Sequence, residues 1–331
     1  MPLAELLSLT LNQIRPQPWQ QQTPGGTRLR WWAEGVVEVT PAPAANPVGR
    51  DLLLSAGIHG NETAPIELLD RLLKAIASDA LQPRCRLLLV LGNPAAMRAG
   101  ERYLDYDLNR LFGGRHQRHP GVAAARAAEL ESLCQRFFGE APASSRERLH
   151  FDLHTAIRDS AIEKFALFPD SGRPLPRLLA ARLVAAAISA VVIQQGPAGT
   201  FSAFSANACQ ADSVTLELGK ARPFGANAGV DLSALEAMLA TLIGGGDIDP
   251  FATDPAALTR YVASREIIKQ SEAFRLHLAD DVANFTPLPS GMLLAEDGDQ
   301  QWQVSEANAR ILFPNPGVKP GLRAGIIVVE G

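Results

Sequence analysis

Near-continuous apolar runs on either side of a helix-spaced segment restrict this chain more than any other feature. Leu52-Leu53-Leu54-Ser55-Ala56 and Arg86-Leu87-Leu88-Leu89-Val90-Leu91 read as strands buried on both faces, because successive apolar residues leave neither face for water. Between them Leu68, Leu69, Leu72, Leu73 and Ile76 recur at helical spacing in a segment that begins near Ala64. Strand, helix and strand in this order predict a parallel sheet covered by helices on both sides.

The rest of the chain extends that pattern. An amphipathic segment at 3–14 leads through a Pro/Gln/Gly-rich break to strands at 27–32 and 36–39, and Pro41 to Pro47 cannot join a ladder because proline lacks the amide donor. Helices are expected at 121–138, 174–189 and 231–243, and strands at 149–153, 190–193 and 213–218. Gly244-Gly245-Gly246-Asp247 marks a boundary, after which short alternating segments such as Glu272 to Leu278 alternate with Pro, Gly and Asp turns. The expected organisation is an α/β domain with a mixed, mainly parallel sheet over residues 1–248 and a smaller β-rich domain over 249–331.

Composition excludes several classes of function. With 47% hydrophobic and 20% charged residues the chain has ample core, and its net charge of -4 supplies no basic field for nucleic acid or for a membrane surface. Three cysteines, Cys85, Cys134 and Cys209, make an odd set without paired spacing, so a disulfide framework is not expected and a reducing cytoplasm is. An early acid and no basic segment stand at the N-terminus, and no run of about 18 apolar residues appears, so neither a leader nor a membrane span is expected. Trp31, Trp32 and Trp302 read as packing anchors, since no basic stripe accompanies them.

Directly after the Leu52 to Ala56 run comes Gly57-Ile58-His59-Gly60-Asn61-Glu62-Thr63. An imidazole and a carboxylate three positions apart at a strand end suit Zn²⁺, which accepts nitrogen and oxygen ligands and in catalytic sites keeps one position open. His154, in Phe151-Asp152-Leu153-His154-Thr155, supplies a third candidate ligand at another strand end. Taken alone, His59 with Glu62 also suits a helix start, and His154 a hydrogen-bonded histidine beside a core. His116 and His119 lie in loop-like surroundings, and His150 and His277 read as structural.

Four blocks in order carry a resemblance. They are Gly57 to Pro65; Asn93-Pro94 with Met97-Arg98, Arg102-Tyr103 and Asp107 to Phe112; Asp152-Leu153-His154-Thr155-Ala156; and Thr215 to Pro223. Spread over residues 50–230, they resemble the succinylglutamate desuccinylase and aspartoacylase family of the zinc carboxypeptidase-like superfamily. Leu153 to Arg158 and Leu218 to Phe224 look more like the desuccinylase branch.

The resemblance implies a zinc amidohydrolase that cleaves N-succinylglutamate to succinate and glutamate in arginine breakdown. One Zn²⁺ per subunit would be held by His59, Glu62 and His154, and Glu217 would be the general base. Arg102 would stabilise the oxyanion, and Asn109 with Arg110 would grip a substrate carboxylate through guanidinium and amide donors. Arg98, Arg158 and Lys164 are candidates for the remaining carboxylates. Read without the family, Arg102 and Arg110 are solvated or salt-bridged, Asn109 is a turn residue, and Glu217 pairs with Lys220 or Arg222. Two rivals accompany this reading: an aspartoacylase-like hydrolase or carboxypeptidase acting on another N-acyl amino acid, and a zinc-binding protein without turnover. The expected partner is a small-molecule N-acyl amino acid, not nucleic acid or membrane; the sequence leaves the oligomeric state open.

Overall fold

Leu52 and Leu54 face one way and Leu53 the other, and the computed structural model buries them in two different cores on opposite sides of one sheet. It describes residues 1–140 and 146–331. In chain order the main elements are α1 (Leu6–Leu11), β1 (Gln20–Gln22), β2 (Arg28–Ala33), β3 (Val36–Thr40), β4 (Arg50–Ala56), α2 (Thr63–Ala77), β5 (Arg86–Leu91), α3 (Pro94–Ala99) and α4 (Val122–Gly139). There follow β6 (Glu147–Ala156), β7 (Lys164–Phe168), α5 (Arg177–Ala185), β8 (Ala190–Ile193), α6 (Phe201–Ala208), β9 (Asp212–Lys220) and α7 (Ser233–Ile243). The C-terminal part comprises β10 (Thr259–Ile268), β11 (Arg275–Leu276), β12 (Leu293–Asp297), β13 (Gln300–Gln303), β14 (Arg310–Leu312) and β15 (Arg323–Glu330).

Twelve strands form a mixed sheet in the order β1-β2-β3-β5-β4-β6-β9-β7-β8-β10-β15-β14. Its centre, β5-β4-β6-β9, is parallel, as continuous apolar strands connected through helices require, whereas both ends contain antiparallel pairs. Helices α2 and α7 contribute to the core on one face, and α4 and α6 to that on the other. The C-terminal part is β-rich: β11, β12 and β13 form a small separate sheet over a core that includes Phe274 and Trp302, while β10 lies parallel to β8 and extends the large sheet.

Several elements depart from the expected bounds for local reasons. The segment at 3–14 is split into a 3-10 turn at Pro2–Glu5 and the short α1. Pro176, extended at φ -64° and ψ 138°, delays α5 to Arg177, and the helix ends at Ala185. Gly244 to Asp247 follows α7 under firm constraint: Arg50 donates to the carbonyls of Leu242 and Gly246, and its guanidinium pairs with Asp247 and Glu147. Trp32 donates from Nε1 to Glu38 and Trp302 packs on Phe274, as packing anchors do. Cys85, Cys134 and Cys209 are free, buried thiols. Among the described residues no helix is long and apolar enough to cross a membrane.

Two glycines after β4 shape what comes next. Gly57 turns the chain at φ +69°, a conformation L side chains rarely adopt, and Gly60 lies so close to α3 that a Cβ there would stand 2.2 Å from the Ala96 carbonyl carbon. Backbone cannot yield as a flexible side chain can. Gly60→Ala is therefore expected to destabilise the fold by about 1–3 kcal/mol, the usual cost of overpacking, read as a lower urea midpoint in a denaturation series.

Candidate metal centre and active site

The loop that leaves β4 anchors itself with Ile58, fully buried in the core beneath α4, and so directs His59 and Glu62 inward. Glu62 immediately precedes α2, where a carboxylate often caps a helix, yet its side chain makes no capping hydrogen bond. It reaches instead between two imidazoles: His59 Nδ1 lies 2.8 Å from Oε1 and His154 Nδ1 2.9 Å from Oε2. The backbone amide of Thr155 also donates to Oε2, at 3.1 Å. His154 arrives from β6, whose parallel register with β4 sets Leu153 opposite Ala56 and so brings both strand ends to one edge.

Each ring is held from behind. His59 Nε2 lies 3.0 Å from Asp107 Oδ1, and His154 Nε2 lies 3.1 Å from Asp152 Oδ2. Both Nδ1 atoms are thereby turned toward the same point. His59, Glu62 and His154 each offer a ligand atom within 4.8 Å of the others, and all three residues are buried. Two imidazole nitrogens and a carboxylate, with each second ring nitrogen already on a carboxylate, form a donor set that suits zinc.

The charges around this point are tightly interlocked. Burial alone would raise the Glu62 carboxyl, but His59 and His154 hold it well below the ordinary carboxylate range. Burial likewise works against a charged His154, yet Asp152 and Glu62 hold that imidazole well above its usual value. Asp107, whose burial is outweighed by Arg110 and His59, is also held low.

Glu217 enters from β9, where it is the register partner of His154 on β6. Burial lifts its carboxyl to about 7, with His154 opposing the rise and Glu62 adding to it. Its expected alternatives are not seen: Lys220 pairs with Asp159 at 3.0 Å, and among the described residues no hydrogen bond or ion pair is recorded to the Glu217 carboxylate.

The basic residues divide. Arg102 places a guanidinium nitrogen 2.8 Å from Glu62 Oε1, at the centre itself. Asn109 and Arg110 lie in a 3-10 turn, Leu108–Arg110, capped by Asp107, the residue that holds His59. The Asn109 side-chain oxygen accepts from the amide of Phe201 at 3.0 Å, and Arg110, partly exposed, donates to the Asn109 carbonyl. Arg98 is committed elsewhere, to Glu34 at 2.7 Å and to the Thr10 carbonyl. Arg158 donates to the carbonyls of Asp280 and Val282, and Lys164 to that of Asp231. The structure thus gathers His59, Glu62, His154, Glu217, Arg102, Asn109 and Arg110, and sends Arg98, Arg158 and Lys164 to backbone or surface partners.

Three residues at the site escaped sequence reasoning. Asp107 and Asp152 stand inside the matching blocks, but no pattern says which imidazole a carboxylate will meet. Arg323 on β15 pairs with Glu266 at 2.6 Å; burial, together with the nearby charge of Arg110, depresses its guanidinium, and Asp107 supports it. No local motif marks Arg323. Of the remaining histidines, His116 lies 3.5 Å from Glu131 in the 3-10 turn Arg115–Arg118, His119 packs on Tyr106, and His277 lies 3.5 Å from Glu296.

Comparison with known proteins identifies the family. Residues 48–243 match the succinylglutamate desuccinylase/aspartoacylase catalytic domain, and residues 256–331 match the barrel-sandwich hybrid domain of the same family. A succinylglutamate desuccinylase of Pseudomonas paraeruginosa is 55% identical over 329 residues, covering 99% of this chain and 98% of its own. The crystal structure of the succinylglutamate desuccinylase from Chromobacterium violaceum is 43% identical with a TM-score of 0.86, covering 99% of this chain and 98% of that one. The enzyme of the same name from Vibrio cholerae is 33% identical with a TM-score of 0.90, covering 98% and 94%. By sequence and by fold, over essentially its whole length, the chain belongs to the succinylglutamate desuccinylase/aspartoacylase family.

Proposed function

We propose that this protein hydrolyses the amide bond of N-succinyl-L-glutamate to succinate and L-glutamate, using one zinc ion held by His59 Nδ1, Glu62 and His154 Nδ1. The observation that carries the reading is the convergence of both Nδ1 atoms on the Glu62 carboxylate, beside Glu217, which has no ion pair among the described residues. The names of the full-length relatives supply the substrate. The succinyl-dependent route of arginine breakdown, in the cytoplasm, is the setting that substrate implies. We place the division between catalytic and β-rich units at residues 248 and 249, after the Gly244 to Asp247 segment.

When bound, zinc would lower the pKa of a water from 15.7 to about 7 and so supply a nucleophile at neutral pH. Everything else falls to the chain. Asp107 and Asp152 fix the two rings, so that the facing nitrogens need no reorganisation. Glu217 accepts the proton that the attacking water gives up and returns it to the leaving nitrogen, a role that its lack of a competing ion pair favours. Arg102 has further N–H groups beyond the one on Glu62, and these suit the oxygen of the scissile carbonyl as it gains charge. Arg110 and the Asn109 amide would receive a substrate carboxylate, with Arg323 adding positive charge near Arg110. For Arg98, Arg158 and Lys164, substrate binding would require leaving the partners they hold in this structure.

Removing metal with a chelator is expected to abolish succinylglutamate cleavage, and adding Zn²⁺ to restore it, with about one zinc per chain by elemental analysis. Cleavage undiminished in zinc-free protein would refute the proposal. Glu217→Gln should lower kcat by roughly 10²–10⁴ without changing zinc content, which separates the base from the ligands. Arg110→Ala should raise KM for N-succinylglutamate more than it lowers kcat, and side-by-side rates on N-succinylglutamate, N-succinylarginine and N-acetylaspartate would establish the acyl and amino-acid preference.

A further inference from the structure

Behind His154 a line of buried polar groups runs away from the proposed metal site, beside the buried Ser202–Thr215 hydroxyl pair. Asp152, Ser55, His150, Ser205 and Ser213 are all fully buried, and they come from four elements, β4, β6, α6 and β9. Asp152 meets His154 Nε2 through Oδ2 and accepts the hydroxyl of Ser55 on Oδ1 at 2.6 Å. Ser55 Oγ lies 2.8 Å from His150 Nε2; His150 Nδ1 lies 2.6 Å from Ser205 Oγ; Ser205 Oγ lies 2.8 Å from Ser213 Oγ. Buried polar groups at this depth are costly unless each is satisfied.

Proton counting gives the line a direction. A carboxylate accepts only, so the single Ser55 proton goes to Asp152. Ser55 oxygen must then accept, which requires His150 to carry its proton on Nε2. Nδ1 is left as an acceptor and takes the Ser205 proton in preference to the Ser202 carbonyl, which lies farther from Ser205 Oγ at 3.0 Å. Ser213 can donate in turn to Ser205. Burial pushes the His150 imidazole down to about 4, which keeps it neutral and able to accept on one nitrogen while donating from the other. The opposite assignment, with the proton on Nδ1, would take the Ser55 proton away from Asp152.

We propose that Ser213, Ser205, His150 and Ser55 form a one-way hydrogen-bond chain ending on Asp152, whose function is to hold His154 with its proton on Nε2 and its Nδ1 free for the metal. Ser55, His150 and Ser205 are thus positioning residues that act through Asp152. The inference rests on the zinc reading above.

The test uses the full-length protein labelled with ¹⁵N-histidine, together with zinc affinity measured by competition with a chromogenic chelator. In the wild type, long-range ¹H–¹⁵N correlations should show His150 as the neutral Nε2–H form and zinc-loaded His154 protonated on Nε2. Ser55→Ala should lower zinc affinity by about 10- to 100-fold and give mixed protonation of His154, while Ser55→Thr, which keeps the hydroxyl, should restore both. Ser205→Ala breaks the line farther out, so it should move His150 away from the pure Nε2–H form and reduce zinc affinity by a smaller factor, which keeps the idea testable if Ser55→Ala does not fold. His150 found as the Nδ1–H form, or zinc affinity and His154 protonation unchanged in both alanine variants, would overturn the chain while leaving the zinc site intact. A wild type that binds no zinc would overturn the zinc reading and the chain with it.

Discussion

The parallel register of β4, β6 and β9 is the constraint from which the site follows. Hydrogen bonds between these strands set Ala56 opposite Leu153 and His154 opposite Glu217, so residues far apart in sequence end at one edge of the sheet. A parallel sheet forces this, because all its strands run the same way and its crossovers return the chain to the same starting edge. Ligands gather at the carboxyl ends of such strands for the same reason. The glycines after β4 then turn the chain tightly enough for Glu62 to double back on His59.

Electrostatics completes what register begins. Glu62 and Asp152, both buried, and Asp107, partly exposed, surround two imidazoles, and the partly exposed Arg102 and Arg110 stand next to them. An unpaired buried carboxylate would be prohibitively costly, so each acid is pinned by a ring nitrogen, a guanidinium or a backbone amide. That pinning orients the rings as well as neutralising the charge. Glu217 is the exception in the group, buried and without an ion pair among the described residues, and burial raises its carboxyl.

Much of the fold was legible because burial on both faces imposes long apolar runs. β4, α2 and β5 could be read almost to the residue. β7 and α6 could not: Lys164 to Phe168 is a five-residue run marked only by the Pro169 to Gly172 turn after it, and Phe201 to Ala208 is short and rich in Ser and Ala, with no marked apolar stripe. α6 is nevertheless important, since its first amide holds Asn109 and its Ser205 meets His150. At the site, His59, Glu62, His154 and Glu217 stood out because their motifs are compact, whereas Arg98, Arg158 and Lys164 could only be named as nearby positive charges. Their destinations, Glu34 and four backbone carbonyls, depend on packing that local sequence does not encode.

By itself the sequence determined the alternation of strands and helices, the blocks that mark the family, and the residue types available for chemistry, since these depend on local pattern and composition. Only the tertiary structure decided which nitrogen of each histidine faces inward, which acids stand behind them, and that Arg323 from the C-terminal strands comes close to Arg110. The physical reason is that orientation and charge pairing are set by hydrogen bonds of a few ångströms, most of them between residues tens to hundreds of positions apart, and even for Asp152 and His154, two positions apart, spacing does not say which ring nitrogen the carboxylate meets.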